Sequence, residues 1–271
     1  MMNKTIGFIG CGSMGRAILS GILDSGRAIP EQITVSAATK ETIDTVREVF
    51  GTVVTLDNKK VAESSDLLFL AIKPNRYEEI IHEIKNDLRE DAIVIGMAAG
   101  MTLDKMAKAF GKKVKLVRIM PNTPASVKEG YTAVVFNDQV SEVEKENMLL
   151  LFSSIGRASV IEEKHMDVIT GISGSSPAYV FMFIEAMADA AVKNGLPRKE
   201  AYEISAQAVL GAAKMVLQTE LHPGILKDMV CSPGGTTIEA VTKLEEKGFR
   251  NAVISAVDAC IEKSREMSKI K

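Results

Sequence analysis

The chain has 271 residues, 46% hydrophobic and 25% charged, with a formal net charge of −2. That length suits one large domain or two modest ones, and the near-neutral charge gives no long-range pull toward nucleic acid or anionic membranes. Aromatic residues make up only 5% and Trp is missing, which argues against stacking platforms for single-stranded bases.

Three cysteines, Cys11, Cys231 and Cys260, are widely spaced and cannot all pair, as suits a reducing cytosol. The apolar stretch near the N-terminus is interrupted by glycines and Arg16, with no small-residue cleavage site behind it. It does not read as a secretory leader, and no run is long enough to span a bilayer, so a cytoplasmic chain is expected.

Along the first part, short apolar runs alternate with amphipathic segments. Strands are predicted at Thr5–Ile9, Ile33–Ser36, Val53–Leu56, Asp66–Ile72, Ala92–Met97 and Lys115–Ile119. Helices are predicted between them at Met14–Leu23, Thr42–Phe50, Asn58–Ser64, Tyr77–Leu88 and Leu103–Phe110. This alternation implies βαβ units and a doubly wound, mainly parallel sheet. Runs such as "DLLFLAI" are apolar at consecutive positions, as a strand covered on both faces requires. A further strand at Gly130–Phe136, a helix at Glu142–Ser154 and a last strand at Ala158–Ile161 complete this part.

Beyond His165 the texture becomes helical, with segments at Ala178–Asn194, Arg198–Gln218, Ile238–Lys247 and Asn251–Lys269. "GLP", "HPG" and "SPGG" punctuate them. A second, all-helical domain is expected, with its boundary near Glu162–Lys164. Many Ala and Met residues at helical spacing suit close packing, within one chain or, as the favoured reading, in a dimer.

Gly10-x-Gly12-x-x-Gly15 follows the first strand and opens a helix. Gly10 permits the tight turn, Gly12 a close approach of backbone to a pyrophosphate, and Gly15 close packing of helix on strand. A dinucleotide cradle is therefore predicted. After the second strand stand Ser36, Ala37, Ala38, Thr39 and Lys40, with no carboxylate to hold a ribose 2′-hydroxyl. NADPH is the expected cofactor, with NADH possible but less preferred. Loops ending later strands, at Ala71, Ile72, Lys73 and Pro74, at Met97–Gly100 and at Met120–Pro124, should flank its nicotinamide half. Lys73 is either a cofactor contact or a solvated charge.

"SPGGTT", Ser232 to Thr237, breaks the helical region. Thr236 and Glu239 match a capping box, which accounts for a helix start but not for Ser232, Pro233 and two glycines before it. Gly234 and Gly235 would expose backbone N–H groups at the positive end of a helix, and Ser232, Thr236 and Thr237 add hydroxyls. A small carboxylate or phosphate would suit such a nest. His82, His165 and His222 stand alone, and no histidine–carboxylate pair is evident. Reduction of a protonated imine needs no strong base, only hydride, orientation and a hydrogen bond to nitrogen.

"LKDMVCSPGGTTIEAVTKLEEKGFR", "GISGSSPAY", "GLPR", "GAAKM" and "MPNTP" occur in that family's pattern, and over residues 5–266 the chain closely resembles pyrroline-5-carboxylate reductase. The resemblance implies NAD(P)H-dependent reduction of 1-pyrroline-5-carboxylate to L-proline, the final step of proline biosynthesis. It implies a Rossmann-type NADP-binding domain at 1–163 and a helical substrate-binding and dimerisation domain at 164–271. A homodimer or a larger ring of dimers follows, with no nucleic-acid or membrane partner.

By the same likeness, Thr237 is the catalytic residue, donating a hydrogen bond to the ring nitrogen. Ser232, Gly234, Gly235 and Thr236 hold the substrate carboxylate, and Glu220 stands behind Thr237. Cofactor contacts fall on Ile9, Gly10, Cys11, Gly12, Ser13, Met14, Ser36, Ala37, Asn58, Ala71, Ile72, Lys73, Pro74, Ala98 and Asn122. No metal is expected. Other cyclic-imine or β-hydroxyacid reductases are the rival enzymes. The latter carry a Lys followed four residues later by Asn, whereas here Asn194 directly follows Lys193, and Gln218 lies four after Lys214. A non-enzymatic NADPH sensor would leave the "SPGGTT" loop without a purpose.

Overall fold

The structure is a computed structural model, described here for residues 4–269. Residue contacts divide it into two compact units, one running up to Ser175 and resuming at Cys260, the other Ser176–Ala259.

The first unit is built on eight strands: β1 Ile6–Ile9, β2 Ile33–Ser36, β3 Val53–Thr55, β4 Leu67–Leu70, β5 Ile93–Gly96, β6 Lys115–Met120, β7 Gly130–Phe136 and β8 Gly156–Val160. Their order across the sheet is β3-β2-β1-β4-β5-β6-β7-β8. Every pairing is parallel except β6 with β7, where Met120 faces Ala133 and Val117 faces Phe136. The order runs outward in opposite senses from β1 and β4, which creates a topological switch point at their carboxyl ends.

Helices α1 Ser13–Asp24, α2 Lys40–Phe50, α3 Asn58–Ser64, α4 Tyr77–Ile84, α5 Leu103–Phe110, α6 Glu142–Phe152 and the short α7 Met166–Ile169 follow the strands. Because side chains alternate along a strand, each strand feeds both faces. Phe8, Phe69, Ile95 and Val117 pack with Ile18, Leu19 and Ile22 of α1 and Leu151 and Phe152 of α6. Ile9, Leu68, Leu70, Val94 and Leu116 pack on the other face with Val61, Ile80, Ile81, Ile84, Met106 and Phe110. This explains the consecutive apolar positions of the central strands. Predicted α4 extended to Leu88; it ends at Ile84, where the chain tightens and Asp87 N–H donates to the Ile84 carbonyl instead.

The second unit holds α8 Ser176–Lys193, α9 Arg198–Thr219, α10 Pro223–Met229, α11 Thr236–Glu246 and the start of α12 Phe249–Lys269. α10 corrects the sequence reading, which took "HPG" as a break. His222 caps this helix, its Nδ1 accepting from Gly224 N–H at 3.0 Å, and Pro223 takes the first helical position, where its missing N–H costs nothing. Within Ser176–Ala259 only Ala188, Ala201 and Ser205 are buried. Phe181, Met182, Ile204, Leu217, Met229 and Ile254 are all exposed. Among the described residues, no helix is long and apolar enough to cross a membrane.

Candidate functional site: a dinucleotide cleft and an uncapped helix start

At the end of β1 the chain must turn sharply into α1. Gly10 does this at φ +82°, its N–H donating to the Ser36 carbonyl at 2.8 Å. A Cβ on Gly10 would lie 2.5 Å from the Ala71 carbonyl oxygen, so the turn and the neighbouring strand end both require glycine. Gly12 is different. It caps α1 without a side-chain hydrogen bond, no acidic residue stands in the first turn, and a Cβ there would meet no protein atom within 4 Å. Its open side faces a cleft of about 1050 Å³ at the switch point. Free N–H groups at the positive end of a twelve-residue helix, with room left by Gly12, fit a pyrophosphate.

Of the residues expected to contact the cofactor, Ile9, Gly10, Cys11, Gly12, Ser13, Ala37, Asn58, Ala71, Ile72 and Lys73 line this cleft. Ser36 lies beneath it, fully buried, its hydroxyl donating to Asn58 Oδ1 at 2.7 Å. The Asn58 amide in turn donates to Glu83 at 2.9 Å, which fixes the side chain that presents itself to the cleft. Met14 packs against the core, and Ala98 is buried. Pro74 lines a separate cleft of about 880 Å³ with Gly100, Lys105 and Met267. Asn122 is committed internally: its amide donates to the Ser173 carbonyl and hydroxyl, and its oxygen accepts from Tyr131 N–H at 2.9 Å.

The cleft also includes Arg16, Thr39, Thr42, Leu56, Arg76 and Ile80. Arg16 was findable, since it lies one helical turn beyond Gly12; its Nε donates to the Cys11 carbonyl at 3.2 Å. Arg76 and Ile80 come from the loop and helix after β4, and only the folded sheet carries them to the region beyond β2. Lys40 begins α2 and is not in the cleft wall; Thr39 caps that helix, accepting from Thr42 N–H. Burial pushes the Cys11 thiol up to about 11, opposed by the nearby Arg16, so it stays protonated at neutral pH and offers no nucleophile.

In the second unit, the chain leaves α10 at Val230 and turns through Ser232–Gly235. Gly235 N–H donates to the Ser232 carbonyl at 3.0 Å, with Pro233 and Gly234, at φ +66°, in the central positions. Proline followed by a left-handed glycine is the type II pattern. A Cβ on Gly235 would fall 2.3 Å from Ser232 Oγ, so the serine lies over the second glycine.

The capping box expected at Thr236 and Glu239 is not formed. The cap is Gly235, with no side-chain hydrogen bond, and Thr236 and Thr237 are already helical. The turn consumes the register that the box would need, and glycine has no side-chain oxygen to offer. What remains is an eleven-residue helix whose leading N–H groups have no side-chain partner, with Ser232, Gly234 and Thr236 exposed and Thr237 half-buried. Glu220, the C-cap of α9, takes φ 55°, an uncommon conformation for a residue other than glycine.

A mainly parallel sheet with a glycine-walled cleft at its switch point defines a dinucleotide-binding protein of the Rossmann type. A profile described as pyrroline-5-carboxylate reductase dimerisation matches residues 163–267, and one described as NADP oxidoreductase coenzyme F420-dependent matches residues 5–100. Over 268 residues the chain is 52% identical to pyrroline-5-carboxylate reductase of Escherichia coli (strain K12), covering 99% of this chain and 100% of that one. Against the Arabidopsis thaliana enzyme the identity is 39% over 264 residues, with 97% and 95% covered. The crystal structure of Plasmodium falciparum pyrroline carboxylate reductase with NADP bound matches with a TM-score of 0.91 at 33% identity, covering 99% of this chain and 100% of that one. The chain belongs to the pyrroline-5-carboxylate reductase family.

Proposed function

We propose that the chain reduces 1-pyrroline-5-carboxylate to L-proline with NADPH, the closing step of proline biosynthesis, using the two devices described above. The carrying observation is the Ser232–Gly235 turn, which leads into a helix with no side-chain cap. A carboxylate supplies the acceptors that this helix start lacks, and in this reading Ser232, Gly234, Gly235 and Thr236 hold it.

Thr237, one residue further into the helix, donates its hydroxyl to the ring nitrogen. Glu220 stands behind it; the left-handed backbone at Glu220 supports a role beyond ending α9. A protonated imine needs no base of the strength an alcohol demands, in keeping with a loop that supplies only backbone amides and hydroxyls. Bound NADPH supplies the hydride for the imine carbon.

The cofactor's pyrophosphate is held by the start of α1 and the Gly10–Ser13 turn, while Asn58 and Ala37 meet the adenosine half. Thr39 and Thr42, with no carboxylate in the cleft wall after β2, favour a 2′-phosphate, and NADH is the poorer donor. Exposed apolar side chains on α8 to α12 support a homodimer, which larger assemblies can repeat as a ring. A cytoplasmic location completes the proposal.

The test is NADPH oxidation by the purified chain with pyrroline-5-carboxylate, run beside NADH and, with NADP⁺ in place of NADPH, a hydroxyacid. Turnover confined to the imine is expected. Turnover of the hydroxyacid alone would assign the chain to another reductase class.

A further inference from the structure

Tyr77 is the largest fully buried side chain among the described residues, and nothing in the proposed chemistry uses it. It is the first residue of α4, directly after the turn that carries the chain away from Lys73. Its hydroxyl donates to the Leu70 carbonyl at 2.7 Å and accepts from Met97 N–H at 2.9 Å. Leu70 and Gly96 are the last paired residues of β4 and β5. The phenolic oxygen therefore takes the place of the next rung in the ladder. It bridges the two strands where they part, and satisfies a carbonyl and an N–H that would otherwise be buried without partners.

The surroundings are cut to this ring. A Cβ on Gly96 would lie 3.5 Å from Tyr77 Cε1 and 2.5 Å from the Met106 sulfur, so glycine at the end of β5 leaves space for both. The segment that begins at Met97 is also held at its far end. Glu163 accepts from Leu103 N–H at 2.9 Å and from buried Arg118 Nη1 at 2.9 Å. Residues 97–103 are thus tied at entry by a phenol and at exit by a carboxylate. On the other side of the bridge, Ala71, Ile72 and Lys73 line the dinucleotide cleft.

We propose that Tyr77 is a positioning residue for hydride transfer, its hydroxyl fixing the spread between the ends of β4 and β5 and so the two loops flanking the nicotinamide. This rests on the NADPH-dependent reductase reading above. The pyrophosphate contacts lie on the turn from β1 into α1, outside the bridge, so loss of the hydroxyl should misplace the reacting end more than it weakens binding.

Tyr77→Phe tests this in the full chain, with Ile81→Val, a buried neighbour on α4 outside the cleft, as the control for lost packing. For Tyr77→Phe we expect kcat to fall about tenfold while the NADPH dissociation constant, read from cofactor fluorescence, stays within about threefold. The deuterium isotope effect from NADPH labelled at C4 should rise, and amide exchange across 97–103 should quicken. Ile81→Val should lower Tm and leave kcat and the isotope effect unchanged.

A Tyr77→Phe enzyme that loses Tm alone, like the control, overturns the proposal. If that variant cannot be purified, amide exchange of the wild type decides: slow exchange at Met97 supports the bridge, and fast exchange there overturns it. A wild type inactive on pyrroline-5-carboxylate would remove the reductase reading. The Tyr77 claim would then stand or fall on 97–103 exchange and on NADPH emission in the variant.

Discussion

The two units of this chain solve opposite problems. The sheet unit buries its strands on both faces, with Phe8, Leu19, Ile33, Leu68 and Phe69 almost wholly withdrawn from water. The helical unit buries only Ala188, Ala201 and Ser205 between Ser176 and Ala259, and leaves Phe181, Met182 and Ile254 exposed. At roughly 25 cal/mol per Å² of apolar surface, the first is held by its own core, whereas the second leaves much of its hydrophobic gain uncollected in a single chain. One unit is a scaffold complete in itself. The other has the composition of an interface, as the exposed apolar area of a soluble protein usually signals.

The same contrast marks the two candidate binding devices. Around Gly10 and Gly235 the fold is fixed by close approach, while Gly12 and Gly234 open space for something else. The largest expected effect breaks one of these openings without touching the fold. Gly12→Val should weaken NADPH binding at least about a hundredfold, measured by cofactor fluorescence, with Tm little changed because no protein atom lies in the way. Gly10→Ala should instead lower Tm and the yield of folded protein, since its clash is with the Ala71 backbone.

Next in size, Thr237→Ala should cost about a hundredfold in kcat with NADPH affinity retained. An unchanged rate would remove Thr237 from the chemistry. Phe181→Asp should then break the helical unit selectively. Sedimentation should show smaller species, and the wild-type dependence of Tm on protein concentration should disappear. A monodisperse wild-type monomer would contradict the interface reading.

Smallest is the cofactor discriminator. Lys40→Glu should lower the NADPH to NADH ratio of kcat/KM by a few-fold to about tenfold. Lys40 starts α2 without lining the cleft, so its influence would be electrostatic rather than through contact. An unmoved ratio would shift attention to Arg76, which does line it.

The contrast also explains what could be read before folding. β2 and β7 fall at the expected residues because short runs rich in β-branched residues, bounded by turn residues, admit few other readings. α3 and α5 do so because Asp57 and Thr102 supply N-caps in register. The glycine turn was legible, since three glycines at fixed spacing carry their own geometry. Arg76, Ile80 and Leu56 were not, because their place in the cleft depends on strand order rather than on local sequence.

In the helical unit, local rules misled twice. Pro223 looked like a break and begins a helix; Thr236 looked like a cap and is already inside one. Both errors came from glycine and proline, whose effect depends on which side of a helix start they occupy. Tyr77 lay outside any motif, and only the paired ends of β4 and β5 reveal what its hydroxyl does.

The central claim is that the uncapped start of α11 receives the carboxylate of a cyclic imine while the first unit holds NADPH. Single-turnover kinetics of Thr237→Ala beside wild type, with pyrroline-5-carboxylate and saturating NADPH at 340 nm, tests it most directly. The account predicts rapid NADPH oxidation by the wild type and a hydride-transfer step slowed about a hundredfold in the variant, with proline formed in each case. Equal transfer rates in the two proteins, or no oxidation by the wild type, would contradict it.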